Sequence, residues 1–182
     1  MAHFERSCGD APKTSDSVSV ELPPAAQARD WRQRWNEIQE QSKRLLAPRC
    51  EAMSGKSIQS ANHDLRSFLV QAYHLKDSLI HESTTTGISK SAVESAIDND
   101  PHLALLADLA NLEKHRVWNL KKHKPRSGHV PAYATISGKS TGPSGWRLSL
   151  EIQHNGNSHD GLTFASDAVS AWEKQLKAWG LI

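Results

Sequence analysis

The chain has 182 residues, 37% of them hydrophobic and 23% charged, with a formal net charge of +2. That size and balance fit one globular domain with a tail and leave no room for a large multidomain enzyme. No run approaches the roughly 18 apolar residues of a membrane span, and Cys8 and Cys50 are too few for a disulfide scaffold.

The opening MAHFERSCGD lacks the apolar stretch of a secretory signal, so a cytoplasmic home is expected. Residues 1 to about 24 mix Ser, Asp, Pro, Thr and Gly without apolar period, the composition of a disordered tail. One domain is expected from there to residue 182.

Ala25 to Leu46 reads as a first amphipathic helix, with Trp31, Trp35, Ile38, Ser42 and Leu45 on one stripe. A second runs from about Asn62 to His81 on Leu65, Phe68, Leu69, Ala72, Leu75 and Leu79. A short third follows the loop His81 to Ser89, where Ser91 and Glu94 have capping-box spacing. Asp100-Pro101 starts a fourth, a capping acid followed by proline at the first position. That helix, His102 to about Leu120, is apolar on most sides and is expected at the centre of the bundle.

Beyond it the period changes. Lys121 to Gly128 reads as a basic loop, and Ala132 to Ser137 and Trp146 to His154 alternate as strands joined by a loop over Lys139 to Gly145. Leu162 to Phe164 reads as a third short strand, and Ser166 to Trp179 as the closing helix. The expected fold is mainly α: four to five helices with a small antiparallel hairpin or meander at about 131–164, before the C-terminal helix.

Asp108, Asn111 and His115 lie at i, i+3 and i+7 of the fourth helix, a polar stripe about 60° wide between apolar flanks. Buried polar groups need partners, so three together mark either a network that fixes helix register or a site. On the second helix His74, Asp77 and His81 share another face, and Asp77, nearest the apolar margin, is the better candidate to reach the stripe on the fourth helix. His74, Asp77, Asp108 and His115 also offer donors for a metal or small ligand, although neither His-Glu-x-x-His nor paired Glu-x-x-His occurs.

Six basic side chains, Lys114, Arg116, Lys121, Lys122, Lys124 and Arg126, fall within thirteen residues, beside His115 and His123. Such a run is either a solvated loop or a footprint for a phosphate backbone. No Gly-rich phosphate loop, nucleophile elbow or Cys-x-x-Cys is present, and no cofactor is expected.

The phrases Tyr73-His74-Leu75-Lys76-Asp77 and Asp108-x-x-Asn111-x-x-Lys114-His115 resemble paired signatures of a group of small bacterial proteins. Their helical core is similar to the HEPN superfamily, which includes dimeric, metal-independent RNases of toxin–antitoxin, abortive-infection and CRISPR systems. The resemblance covers roughly residues 60 to 180 and implies a HEPN-like bundle that binds RNA. The Arg-x(4–6)-His motif of active HEPN RNases is matched in spacing by Arg116–His123 and Arg147–His154, without the usual polar residue after Arg116.

On this basis His115 is the candidate acid/base, Lys114 or Arg116 the phosphate donor, and Asp108 with Asn111 the orienting pair. Arg116, Lys121, Lys122, Lys124 and Arg126 are the candidate RNA contacts, and a homodimer along the fourth helix doubles the basic surface. The competing function is a non-catalytic module that binds a partner protein, with the polar stripe as a packing device. Neither involves a membrane.

Overall fold

The computed structural model describes residues 30–47, 53–115, 118, 124–142 and 145–182. The fold is mainly helical, with a small antiparallel sheet before the C-terminal helix. Its elements are α1 (Trp31–Leu46), α2 (Gly55–His81), α3 (Ser83–Thr86), α4 (Lys90–Asn99) and α5 (Pro101–His115), followed by β1 (Ala132–Gly142), β2 (Gly145–His154), β3 (Asn157–Asp160) and α6 (Gly161–Ala178). The helix expected fourth is α5, because the single turn α3 intervenes. The expected tail and the start of the first helix, up to Arg29, lie outside the described residues.

Apolar spacing decides which faces are buried. Trp31, Trp35, Ile38, Ser42 and Leu45 are all buried in α1, as their stripe requires. On α2 the buried stripe extends back to Ala61 and Ser57. That helix begins seven residues earlier than expected, because Ser54 and Ser57 cap one another reciprocally and satisfy the first-turn amides. The Trp31 amide donates to the Glu82 carboxylate at 2.8 Å, tying the start of α1 to the end of α2. α5 packs against α2, α4 and α6, and Leu103 to Ala110 are buried without a break. That central place follows from apolar residues on nearly every side.

Three local expectations change. Ser89, not Ser91, caps α4 by accepting from the Ala92 amide. The Glu94 carboxylate is drawn instead to Lys76 and Arg126. Leu162 to Phe164 is helical, because Asp160 accepts from the Thr163 amide and opens α6 there. The third strand lies earlier, at Asn157–Asp160, folded back on β2 through Asn155 and Gly156, both at positive φ.

The sheet order is β1-β2-β3, antiparallel throughout. β1 stays paired with β2 as far as Gly142↔Gly145, so part of the expected hairpin loop is strand. Alternation puts Trp146, Leu148, Leu150 and Ile152 on the buried face of β2, against α6. Gly161 fits under Leu150: a β-carbon there would lie 2.3 Å from Leu150 Cδ2. Trp31, Trp146 and Trp172 are among the largest fully buried side chains, so these indoles are core. Among the described residues no helix is long and apolar enough to cross a membrane.

Candidate functional site

The polar stripe on α5 runs from the core to the surface. Asp108 is fully buried, Asn111 is half-buried, and Lys114 and His115 are exposed. A buried carboxylate needs donors, and Asp108 has three. It accepts from the Arg126 amide at 2.9 Å, the Ser127 amide at 2.8 Å and the Ser127 hydroxyl at 2.5 Å. Asp108 therefore fixes the returning end of the basic stretch. The expected pairing, in which Asp108 orients His115, is replaced by this anchor, because all three donors come from residues 126 and 127.

The Arg126 side chain is also spoken for. Its guanidinium reaches Glu94 and Asp98 of α4, at 2.6 Å each. Glu94 in turn accepts from Lys76 of α2 at 3.2 Å, and the Lys76 ammonium lies 4.7 Å from the Tyr73 ring centroid. Burial alone would raise the Glu94 pKa, but hydrogen bonds and charge from Arg126 and Lys76 outweigh it and hold the carboxyl below its usual value. The expectation that Arg126 contacts a phosphate backbone is corrected here: two carboxylates already neutralise it, and freeing it would leave Glu94 partly buried and short of a partner. Counting charge along the sequence could not show that α4 supplies both acids.

Glu113, between the stripe and the basic run, is paired with Arg66 of α2 at 2.9 Å. The Tyr133 phenol is held protonated by burial first and by the charge of Glu113 second. Among the basic candidates Lys114 and Lys124 are exposed, while Arg116, Lys121 and Lys122 lie outside the described residues, as does His123.

The second-helix candidates meet each other. His74 Nδ1 and an Asp77 carboxylate oxygen are 2.5 Å apart, one turn along α2. The hydrogen bond from His74 is the main reason the Asp77 carboxyl sits below its usual range, with Lys76 and Arg34 of α1 adding to it against the effect of burial. Asp77 is about half exposed and turns towards this partner, so the expected reach to the α5 stripe is not the arrangement found. His74, Asp77, Asp108 and His115 are thus not gathered at one point. Among the described residues no group of three or more His, Cys, Asp or Glu is placed to hold a metal ion.

A second constellation escaped sequence reasoning. The His154 ring stands 6.0 Å from that of His129 and 6.1 Å from that of His159, centroid to centroid. His154 also has a backbone hydrogen bond to Ser127, the residue gripped by Asp108. Burial first, then the imidazoles of His159 and His129, lower its pKa against the opposing pull of Asp108 and Ser127. Its Nε2 is shut off from solvent and has no hydrogen-bond partner. Two signals pointed here: His154 continues the inward parity of Trp146 to Ile152, and Asn155-Gly156 is a hairpin turn that folds His159 opposite Ile152. The same parity separates Arg147 from His154, since seven residues along a strand place two side chains on opposite faces.

Comparison of the chain with protein-family models, curated proteins and solved structures finds no match.

Proposed function

We propose that this protein is a HEPN-like RNA-binding protein whose phosphate contacts come from Lys114, Arg116, Lys121, Lys122 and Lys124. The supporting observation is that the acids around this stretch are already engaged. Glu113 is paired with Arg66, Glu94 and Asp98 with Arg126, and Asp108 with the loop backbone. Among the described residues Lys114 and Lys124 are exposed and have no carboxylate partner, and a phosphate backbone is the natural counter-charge for them.

Cleavage is part of the proposal. The exposed His115 takes the proton from a ribose 2′-OH, whose oxygen attacks the adjacent phosphorus; Lys114 stabilises the charge on the phosphoryl oxygens, and the P–O5′ bond breaks, the 5′-oxygen leaving with a proton from water and a 2′,3′-cyclic phosphate remaining. Asp108 supports this chemistry by holding the loop, and Asn111 lies between it and His115 on the stripe. The test is incubation of labelled single-stranded RNA at low salt with wild type and His115→Ala, with and without EDTA. Cleavage that ignores EDTA and disappears in the variant is the expected result. Intact RNA in every lane removes the catalytic part.

The burial of Asp108 and the internal pairing of Arg126 favour a second reading: a non-catalytic module for a partner protein, with the stripe as a packing device. RNA that is neither bound nor cut transfers the assignment to it.

A further inference from the structure

Two dipeptides prone to cyclise to a succinimide lie close together at the β2–β3 hairpin, Asn155-Gly156 and Asp160-Gly161. In each the glycine has no β-carbon to obstruct its amide nitrogen as it attacks the preceding side-chain carbonyl. The fold treats the two differently. The Asp160 carboxylate accepts from the Thr163 amide at 2.7 Å, and Gly161 is buried where a β-carbon would overlap Leu150. That pair is locked. Asn155 and Gly156 are both exposed and form the two-residue turn between the paired His154 and Asn157, at φ 52° and 73°. A β-carbon at Gly156 would meet nothing within 4 Å. Among the described residues neither the Asn155 carboxamide nor the Gly156 amide has a hydrogen-bond partner. Ring closure needs Asn155 to rotate out of its left-handed conformation, so the turn must open first. β3 beyond it has four residues, all exposed, and such a tip opens at little cost.

We propose that Asn155 is a site of spontaneous covalent modification, deamidation to aspartate and isoaspartate, from which the fold protects Asp160. The Gly156 nitrogen bonds to Asn155 Cγ, the Cγ–Nδ2 bond breaks, and ammonia leaves with the proton that the Gly156 nitrogen gives up. Water then opens the ring. Addition at Cγ gives aspartate; addition at the backbone carbonyl gives isoaspartate, in which the chain runs through the side chain. No oxidant or cofactor is needed, and water is the only co-reactant. The two products differ in consequence. Asp-Gly suits the same tight turn as Asn-Gly, so aspartate keeps the hairpin. Isoaspartate adds a carbon to the backbone of a two-residue turn, so His154 and Asn157 no longer meet in register. His159, whose ring stands 6.1 Å from that of His154, then loses its place with β3. The inference is independent of the RNA reading.

The test is to age the full-length protein at mildly alkaline pH, folded and in urea, and to map both positions by mass spectrometry. Electron-transfer fragmentation separates isoaspartate from aspartate at each of them. In the folded protein Asn155 is expected to convert about tenfold or more faster than Asp160 isomerises, as a site that opens locally against one that opens with the whole fold. In urea both are expected to react. Asn155→Gln, whose longer side chain closes the ring poorly, is expected to stay unmodified. Hydrogen exchange at the amides of β3 is expected to rise in the isoaspartate form and to stay as in wild type in Asn155→Asp. An intact Asn155 in the folded protein while the unfolded chain converts, or isomerisation of Asp160 at the same rate in the folded protein, overturns the proposal.

Discussion

Asp108 holds Ser127 twice, through its amide and its hydroxyl, across nineteen residues of sequence. A central helix thereby fixes the backbone at Arg126 and Ser127, which follow the basic run in sequence. Replacing Asp108 with alanine strips the Arg126 and Ser127 amides of their acceptor. The expected loss is about 3 kcal/mol, the cost of leaving partly buried donors unmet. Asp108→Asn keeps one acceptor oxygen and is expected to lose less. Urea denaturation followed by circular dichroism measures both; a loss below about 0.5 kcal/mol for the alanine variant contradicts the anchor.

Arg126 and Lys124 are neighbours on the loop with opposite expected phenotypes. Arg126→Ala breaks the contacts with Glu94 and Asp98 and lowers stability by about 1–2 kcal/mol. Because its charge is already neutralised, the salt dependence of RNA binding stays as in wild type. Lys124 is exposed, so Lys124→Ala leaves stability alone and reduces the salt slope by about 0.7, the share of one phosphate contact on a single strand. A reversed pattern would reassign the two.

Acid destabilises the fold through His154 and through the carboxylates of Glu94 and Asp77. The pKa of Glu94 is depressed in the fold, so its contribution is complete above the usual 4.5 and is lost as pH falls through the folded value. The pKa of His154 is also depressed, but for a base this means that the unfolded chain takes the proton first. Its contribution is complete above the usual 6.5 and falls as pH drops from there to the folded value. Stability curves therefore decline in two stages on acidification. His154→Gln removes the upper stage and Glu94→Gln reduces the lower, which Asp77 shares, as melting temperatures from pH 8 to pH 3 will show.

Gly161 tests the seat of α6 on the sheet. A methyl group there meets Leu150 Cγ at 2.5 Å, and Leu150 is fully packed, so it cannot simply swing away. Gly161→Ala is expected to cost about 1–3 kcal/mol despite the better helix propensity of alanine. Gly87→Ala leaves free space around its new methyl but forces a non-glycine residue to φ 72°, for about 1 kcal/mol. Only the first substitution should also shift the near-ultraviolet signal of Trp146 and Trp172, the buried indoles on β2 and α6.

Much of this fold was legible because its determinants are local. The spacing from Trp31 to Leu45 named the buried face of α1 without error, Asp100-Pro101 placed the start of α5, and alternation from Trp146 to Ile152 set the inner face of β2. The Asp100 carboxylate does accept from the His102 and Leu103 amides, as a capping acid should. What stayed hidden depends on partners far away in sequence. Nothing near Asp108 reveals that its donors are residues 126 and 127, and nothing near Arg126 reveals Glu94 and Asp98. The Ser91–Glu94 spacing misled for the same reason, since Glu94 gains more from two distant cations than from its own helix end. Leu162 to Phe164 misled because one capping aspartate outweighs the strand-like alternation of Leu162, Thr163 and Phe164.

The central claim is that the basic side chains between Lys114 and Lys124 bind RNA. Fluorescence anisotropy of a labelled single strand, titrated from about 50 to 200 mM salt with wild type and with Lys121→Ala/Lys122→Ala/Lys124→Ala, tests it directly. The account predicts wild-type binding that weakens with salt and a log–log slope shallower by about 2 in the triple variant, three contacts at roughly 0.7 each. Equal affinity and slope for the two proteins, or no binding by wild type at the lowest salt, would contradict it.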